Sequence, residues 1–284
     1  QNPWYVVATG AGEQEGARTK DVDFDLHAKN RRFWNGWMCQ GMEEDERAAL
    51  AKKMDLLKDE LAPLCADEME VVKARFQIAF PGNMPKNVPP SPDDEVDFRH
   101  VRFVGNVVST QFVFMADADF YQSQFVGDAN FQGIYFKKKI DFKQTQFNKN
   151  ADFQWSVFTS WTSFQNASFN QIAFFNNTLF ELPAYFQKTL FNELARFDHA
   201  QFRWCANFSD GCFKAKTVFD GTEFKGAVPG FFHSEMNQDT SFTDDPKHWP
   251  KIPAKNAENG KRAYTRLRQV AAEIYDPDLE HFFL

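Results

Sequence analysis

Between Val96 and Ala227, phenylalanine returns at alternating steps of five and six residues. The unbroken run reads Phe120, Phe125, Phe131, Phe136, Phe142, Phe147, Phe153, Phe158, Phe164, Phe169, Phe175, Phe180, Phe186, Phe191, Phe197, Phe202, Phe208, Phe213, Phe219 and Phe224. Two degenerate copies stand upstream. One keeps Phe98 and Phe103; the other keeps Phe114 but carries Ser109 where the register calls for Phe. Downstream, one extra residue near Pro229 shifts the step before Phe231, Met236 and Phe242 resume it. A repeat this long constrains the architecture before local propensity is consulted, because each unit has to stack on its own copies.

Blocks of eleven such as ADFYQSQFVGD and IDFKQTQFNKN place Phe third and eighth, with Ala usually first and a small residue usually sixth. In an extended segment, residues i and i−2 share a side. Each Phe and the small residue two before it therefore face inward together, leaving Asp, Asn, Gln and Lys outside. Short extended sides divided by corners and repeated many times predict a mainly β solenoid. An eleven-residue period also suits a right-handed coiled coil. Phe residues five apart on an α-helix, however, sit about 140° apart and make no seam.

These A(N/D)F units, which fill roughly half of the chain, resemble the Phe-centred branch of the pentapeptide-repeat family. The resemblance implies a right-handed quadrilateral parallel β-helix of about seven coils, each of about 22 residues, with the Phe and the small residue inside. Asn148, Asn170 and Asn192 recur at that coil spacing while Thr159 and Glu181 stand between them, which predicts a side-chain ladder on one face. Seven coils at ~4.8 Å each make a rod of roughly 30–35 Å.

The formal net charge is −7, yet the twelve acids between positions 96 and 227 meet thirteen Lys and Arg there. Acidity gathers instead in Met42–Glu70 and Ser91–Asp97. A near-neutral rod lacks the clustered basic charge of a nucleic-acid groove, so no nucleic-acid partner is expected. No apolar run approaches the ~20 residues a transmembrane helix needs.

Three regions follow: 1–90, a largely helical capping region with a linker; 91–247, the repeat; and 248–284, an extended exit and a C-terminal helix. Met42–Phe80 has apolar residues at helical spacing and acids at its start, and Pro63 divides it into two predicted helices. Ahead of it, the aromatic-rich stretch Asn30–Cys39 is placed to pack on the first coil, hiding an edge that would otherwise pair with other chains. Pro81–Pro92 reads as the linker. The tail resembles the YxxLxxxA…D…ExxFF ending of some bacterial pentapeptide-repeat proteins, matched by Tyr264, Leu267, Ala271, Asp276, Glu280, Phe282 and Phe283. In that group a membrane anchor can follow, which leaves peripheral membrane association open.

No catalytic, cofactor or metal site is expected. The histidines are scattered without HxH or HExxH spacing, and no Gly-rich phosphate loop or GxSxG elbow occurs. Asp119 with Asp141, and Asp198 with Asp220, would stack one coil apart, where one acid raises the pKa of the next. The favoured reading is that each bonds a corner amide or water. None of the four cysteines makes a CxxC or zinc spacing. Cys39 and Cys65 could form a disulfide or stay free, a matter of compartment. With the non-Met start at Gln1, that pair leans toward an exported or periplasmic protein; the cytoplasmic face of a membrane is the alternative.

Trp155, Trp161, Phe174, Leu182, Tyr185 and Trp204 fall at outward positions. Together they suggest a docking surface or burial under the flanking helices. Lys137–Lys139 would lie one coil before Trp161, close enough for a cation–π contact. The expected function is therefore a non-enzymatic structural or adaptor protein, an accessory subunit of a larger and conceivably membrane-associated assembly, with self-association also open. Two alternatives remain. One is the family's topoisomerase-binding DNA mimicry, which needs a more acidic rod; the other is a glycan-binding or glycan-active β-helix.

Overall fold

The pairing of a small residue with Phe two positions later is realised as a stack of two-residue parallel strands joined by tight corners. The computed structural model describes residues 2–13, 22–81, 88–250 and 257–283. Positions 82–87 of the expected linker and 251–256 of the exit lie outside the described residues. Four parallel sheets form the four sides of a β-solenoid. Side A runs from Val96–Asp97 to Ala206–Asn207, side B from Arg102–Phe103 to Cys212–Phe213, and side D from Val113–Phe114 to Glu223–Phe224. Side C, from Val107–Val108 to Ser241–Phe242, has seven strands and so marks about seven coils. Partners are 22 residues apart, as in Val96 with Ala118 and Phe147 with Phe169. The residue inserted near Pro229 lengthens the last step, so that Val218 pairs with Ser241.

Local chemistry explains each position of the block. At the corners one residue in eleven takes a left-handed conformation, among them Gln122, Gly133, Gln144, Trp155 and Asn166, with φ between 55° and 64°. That geometry is costly for side chains other than Gly. Here a β-turn closed by Thr145 N–H to the Phe142 carbonyl (3.2 Å) offsets it, with positive φ at the turn's third residue. The sixth-position Thr or Ser then donates to a Phe carbonyl of the preceding coil, as Thr145 Oγ1 does to Phe120 O at 2.8 Å. The Asn or Asp before each Phe accepts the amide two residues on: Asp141 from Lys143 N at 2.9 Å, Asn130 from Gln132 N at 3.0 Å. These Asx turns account for the N/D preference.

Inside, every Phe from Phe120 to Phe224 in the predicted ladder is at most 2% exposed. Rings of one corner stack along the axis, as Phe142 does on Phe164 at 4.9 Å and 7°. Rings of neighbouring corners meet edge to face, as Phe153 and Phe164 do at 5.4 Å and 79°. Both arrangements suit the aromatic quadrupole and add to the ~1.5–3 kcal/mol each buried ring contributes. Outside, the predicted amide ladder is present: Asn192 donates to Asn170 at 2.9 Å and Asn170 to Asn148 at 3.2 Å.

Both ends are covered. Four helices precede the rod: α1 (Pro3–Ala8), α2 (Phe24–Met38), α3 (Glu44–Met54) and α4 (Ala66–Ala79). The expected break at Pro63 begins earlier, because Asp55 turns left-handed (φ 53°) and ends α3, and a 3-10 turn at Lys58–Leu61 follows. Gly36 lets α2 approach the segment after that turn; a Cβ there would sit 2.7 Å from Leu64 and 2.8 Å from the Ala62 carbonyl. From α2, Trp34 Nε1 donates to Val113 O (2.7 Å), Asn35 Nδ2 to Gln111 O (3.1 Å), and Asn35 Oδ1 accepts Val113 N (2.9 Å). From the start of α1, Asn2 and Trp4 donate to the carbonyls of Asp97 and Glu95. The first strands of sides D and A thus find partners without another chain.

At the far end Trp249 lies 5.3 Å from Phe224 and edge-on to Phe283 at 4.8 Å. Helices α5 (Ala257–Glu273) and α6 (Pro277–Phe282) bury Leu267, Val270, Ala271 and Leu279. Arg266 donates to the carbonyls of Phe231 and Ser234.

Candidate functional site

The solenoid converts sequence spacing into position, and it separates the six predicted outward residues. Leu182 and Trp204, one coil apart, occupy the corner between sides D and A and are 40% and 57% exposed. Trp161 precedes the side-A strand Thr162–Ser163, and Tyr185 lies on side A itself; both are half-buried. Their rings meet edge to face at 6.5 Å. The predicted cation–π contact is there, with Lys139 Nζ 4.9 Å and Lys143 Nζ 5.8 Å from the centre of the Trp161 ring.

The other two lie elsewhere. Phe174, half-buried, is on side C, across the rod from side A. Trp155 is at the corner between C and D, beside the end of α3. Trp161, Leu182, Tyr185 and Trp204 therefore form one edge, and the six do not form a single surface. The capping helices reach the margin of this edge through the ion pair of Lys53 with Glu181 (3.2 Å), and Glu181 also faces Arg203 (3.8 Å). They leave Leu182 and Trp204 uncovered.

The carboxylate columns resolve into corner chemistry. Asp119 accepts Tyr121 N at 2.8 Å, and burial first, then the neighbouring Asp141, pushes its carboxyl above the usual range. Burial likewise raises Asp152, which holds Gln154 N. Asp198 is bidentate to Arg196 at 2.9 and 3.0 Å. Among the described residues no group of three or more His, Cys, Asp or Glu could hold a metal ion, and no helix is long and apolar enough to cross a membrane.

Cys39 and Cys65 are not bonded, which corrects the disulfide option. Cys39 is buried where α2 ends, and burial pushes its thiol up to about 12; Cys65 is exposed where α4 begins. Their closeness in sequence is undone because α2 and α4 direct them to different surroundings. Cys205 and Cys212 are also free.

One feature escaped the sequence reading. Ser109 had been noted only as a degenerate repeat, yet the position it occupies opens a cavity of about 320 Å³ beneath the N-terminal helices. Comparison of the chain with protein-family models, with curated proteins and with solved structures returns no match.

Proposed function

We propose that this chain is a non-enzymatic structural or adaptor protein of the pentapeptide-repeat kind, whose rigid rod presents the D–A edge to a protein in a larger assembly. The observation that carries this reading is the uncovered Trp204–Leu182 column beside the Trp161–Tyr185 pair, on a body whose own capping helices stop short of it. Exposed aromatics fixed to a rigid frame lose little entropy on docking, and Trp and Tyr dominate interface energetics. Lys139, Lys143 and Arg203 around the edge favour a partner that offers an apolar knob ringed by acids. The engagement of Asp119, Asp141, Asp152 and Asp198 in corner amides and an Arg pair supports a structural rather than an acid–base role.

The test places a photo-activatable cross-linking residue at Trp204 and, separately, at Asn170 on the amide ladder, in the cells that make the protein. A recurrent heteromeric adduct from position 204 that is absent from position 170 is expected. Equal adducts from both, or adducts only with itself, would overturn the proposal.

A further inference from the structure

The cavity under the N-terminal helices has a cause that can be traced through the ladder. In the first coil Phe98, Phe103 and Phe114 stack on Phe120, Phe125 and Phe136 at 5.1, 4.6 and 4.8 Å. The fourth corner should hold a ring over Phe131. Its residue is Ser109, which keeps its place in the ladder through its N–H to Asn130 O at 2.8 Å. The aromatic mass has moved three residues on, to Phe112, at a position that is Ser156 and Thr178 in later coils. Phe112 points away from the vacated corner toward the cap, where it stacks with His27 (6.0 Å, 4°) and Trp34 (5.6 Å, 21°).

What remains is a ring-shaped gap with the buried rings of Phe120 and Phe131 in its floor and α1 and α2 over it. Half-buried Thr9 and exposed Val104 form part of its rim, so it communicates with solvent. Elsewhere a 150 Å³ apolar cavity is enough to take benzene; this one, at about 320 Å³, exceeds a single ring.

One polar group in its wall is unanswered. His27 is 7% exposed and its Nε2 has no hydrogen-bond partner, while a hydrogen bond to the Thr110 backbone accounts for the other nitrogen. Burial holds this imidazole below its ordinary pKa, so it is neutral at pH 7. A neutral imidazole that gives its N–H to a carbonyl presents its second nitrogen as an acceptor. Asn30, also in the wall, is already engaged with Ala11 N and Gly12 O.

We propose that this cavity binds a flat two-ring aromatic molecule bearing one N–H or O–H donor, its rings completing the column above Phe131 and its donor bonded to His27 Nε2. The ligand takes the stacking and edge contacts that a Phe makes at the other corners. Recognition is by shape and by one hydrogen bond, as in most small-molecule pockets.

The test is calorimetric titration of the full chain with indole and with benzothiophene, its near-isostere without a donor. Indole is expected to bind roughly tenfold more tightly, about the worth of one hydrogen bond. Ser109→Phe, which restores the repeat, should abolish binding of both while leaving the far-ultraviolet circular dichroism unchanged. His27→Leu should retain benzothiophene and remove the preference for indole. No binding of either compound, equal affinities in the wild type, or binding that survives Ser109→Phe would each overturn the proposal.

Discussion

The middle coils and the first coil are built from the same eleven-residue unit, and they differ in how many of its positions are obeyed. From Phe142 to Phe202 every corner carries a buried ring, every ring stacks on the next coil, and outward groups are either paired along the axis or solvated. In the first coil one ring is missing, Phe103 is only partly buried, and edge strands find partners in side chains of α1 and α2. Regularity gives the middle its stability and leaves it little room for chemistry. The irregular end has a cavity, an unanswered imidazole and a dependence on the helical cap.

The sharpest way to break that contrast is to remove a ring from each region. Phe153→Ala should cost about 3–5 kcal/mol, since the flanking coils cannot collapse into the void. Phe103→Ala, at a half-buried site, should cost clearly less; urea midpoints of the two variants measure the difference. Asn35→Ala removes both bonds to the first side-D strand and leaves Val113 N and Gln111 O unpaired, at about 1–3 kcal/mol. Hydrogen exchange should then accelerate at the Val113 amide and leave the Phe175 amide protected.

A milder change within the middle is Thr178→Val, which deletes the hydroxyl bond to Phe153 O (2.7 Å) and keeps the shape. It should cost about 1–2 kcal/mol in the same urea series.

His27 predicts a pH dependence confined to the first coil. Burial, and secondarily Arg31, hold its folded pKa below the unfolded value near 6.5. Between those two values the unfolded chain binds the extra proton, so stability is complete above about pH 6.5 and declines as pH falls through the window. His27→Leu should flatten that decline in the thermal midpoint. Smallest is Trp204→Ala: stability should move by less than about 0.5 kcal/mol, because the ring is exposed. Its effect belongs in the cross-linking experiment, where the heteromeric adduct should weaken.

Much of the middle was readable because every side chain there answers to one period. The Phe ladder, the Asn148–Asn170–Asn192 bonds and the Lys139–Trp161 contact all follow from a 22-residue coil. The left-handed corners were not seen, since Gln144, Trp155, Asn166 and Lys188 share no side-chain signature for a requirement that lies in the backbone. Neither was the scatter of the outward aromatics: an eleven-residue block covers only half a coil, so Phe174 and Tyr185 occupy equivalent positions of successive blocks yet face opposite ways. The ends were readable only as helices. Which of their groups meet the rod, and that Cys39 turns inward while Cys65 does not, depends on tertiary contacts that no local pattern encodes. Ser109 was visible as a departure, and its meaning appeared only with Phe112 and His27 placed around it.

The pairing of each strand with one 22 residues away has a consequence for how such a chain can vary. Losing one whole coil would shorten the rod and leave every later feature on its own side. Losing a single eleven-residue block would keep the Phe pattern intact and yet turn everything beyond the cut by half a revolution, carrying the Leu182–Trp204 edge to the opposite corner. Length and facing can thus be altered separately by the same kind of genetic event, according to whether it removes an even or an odd number of blocks.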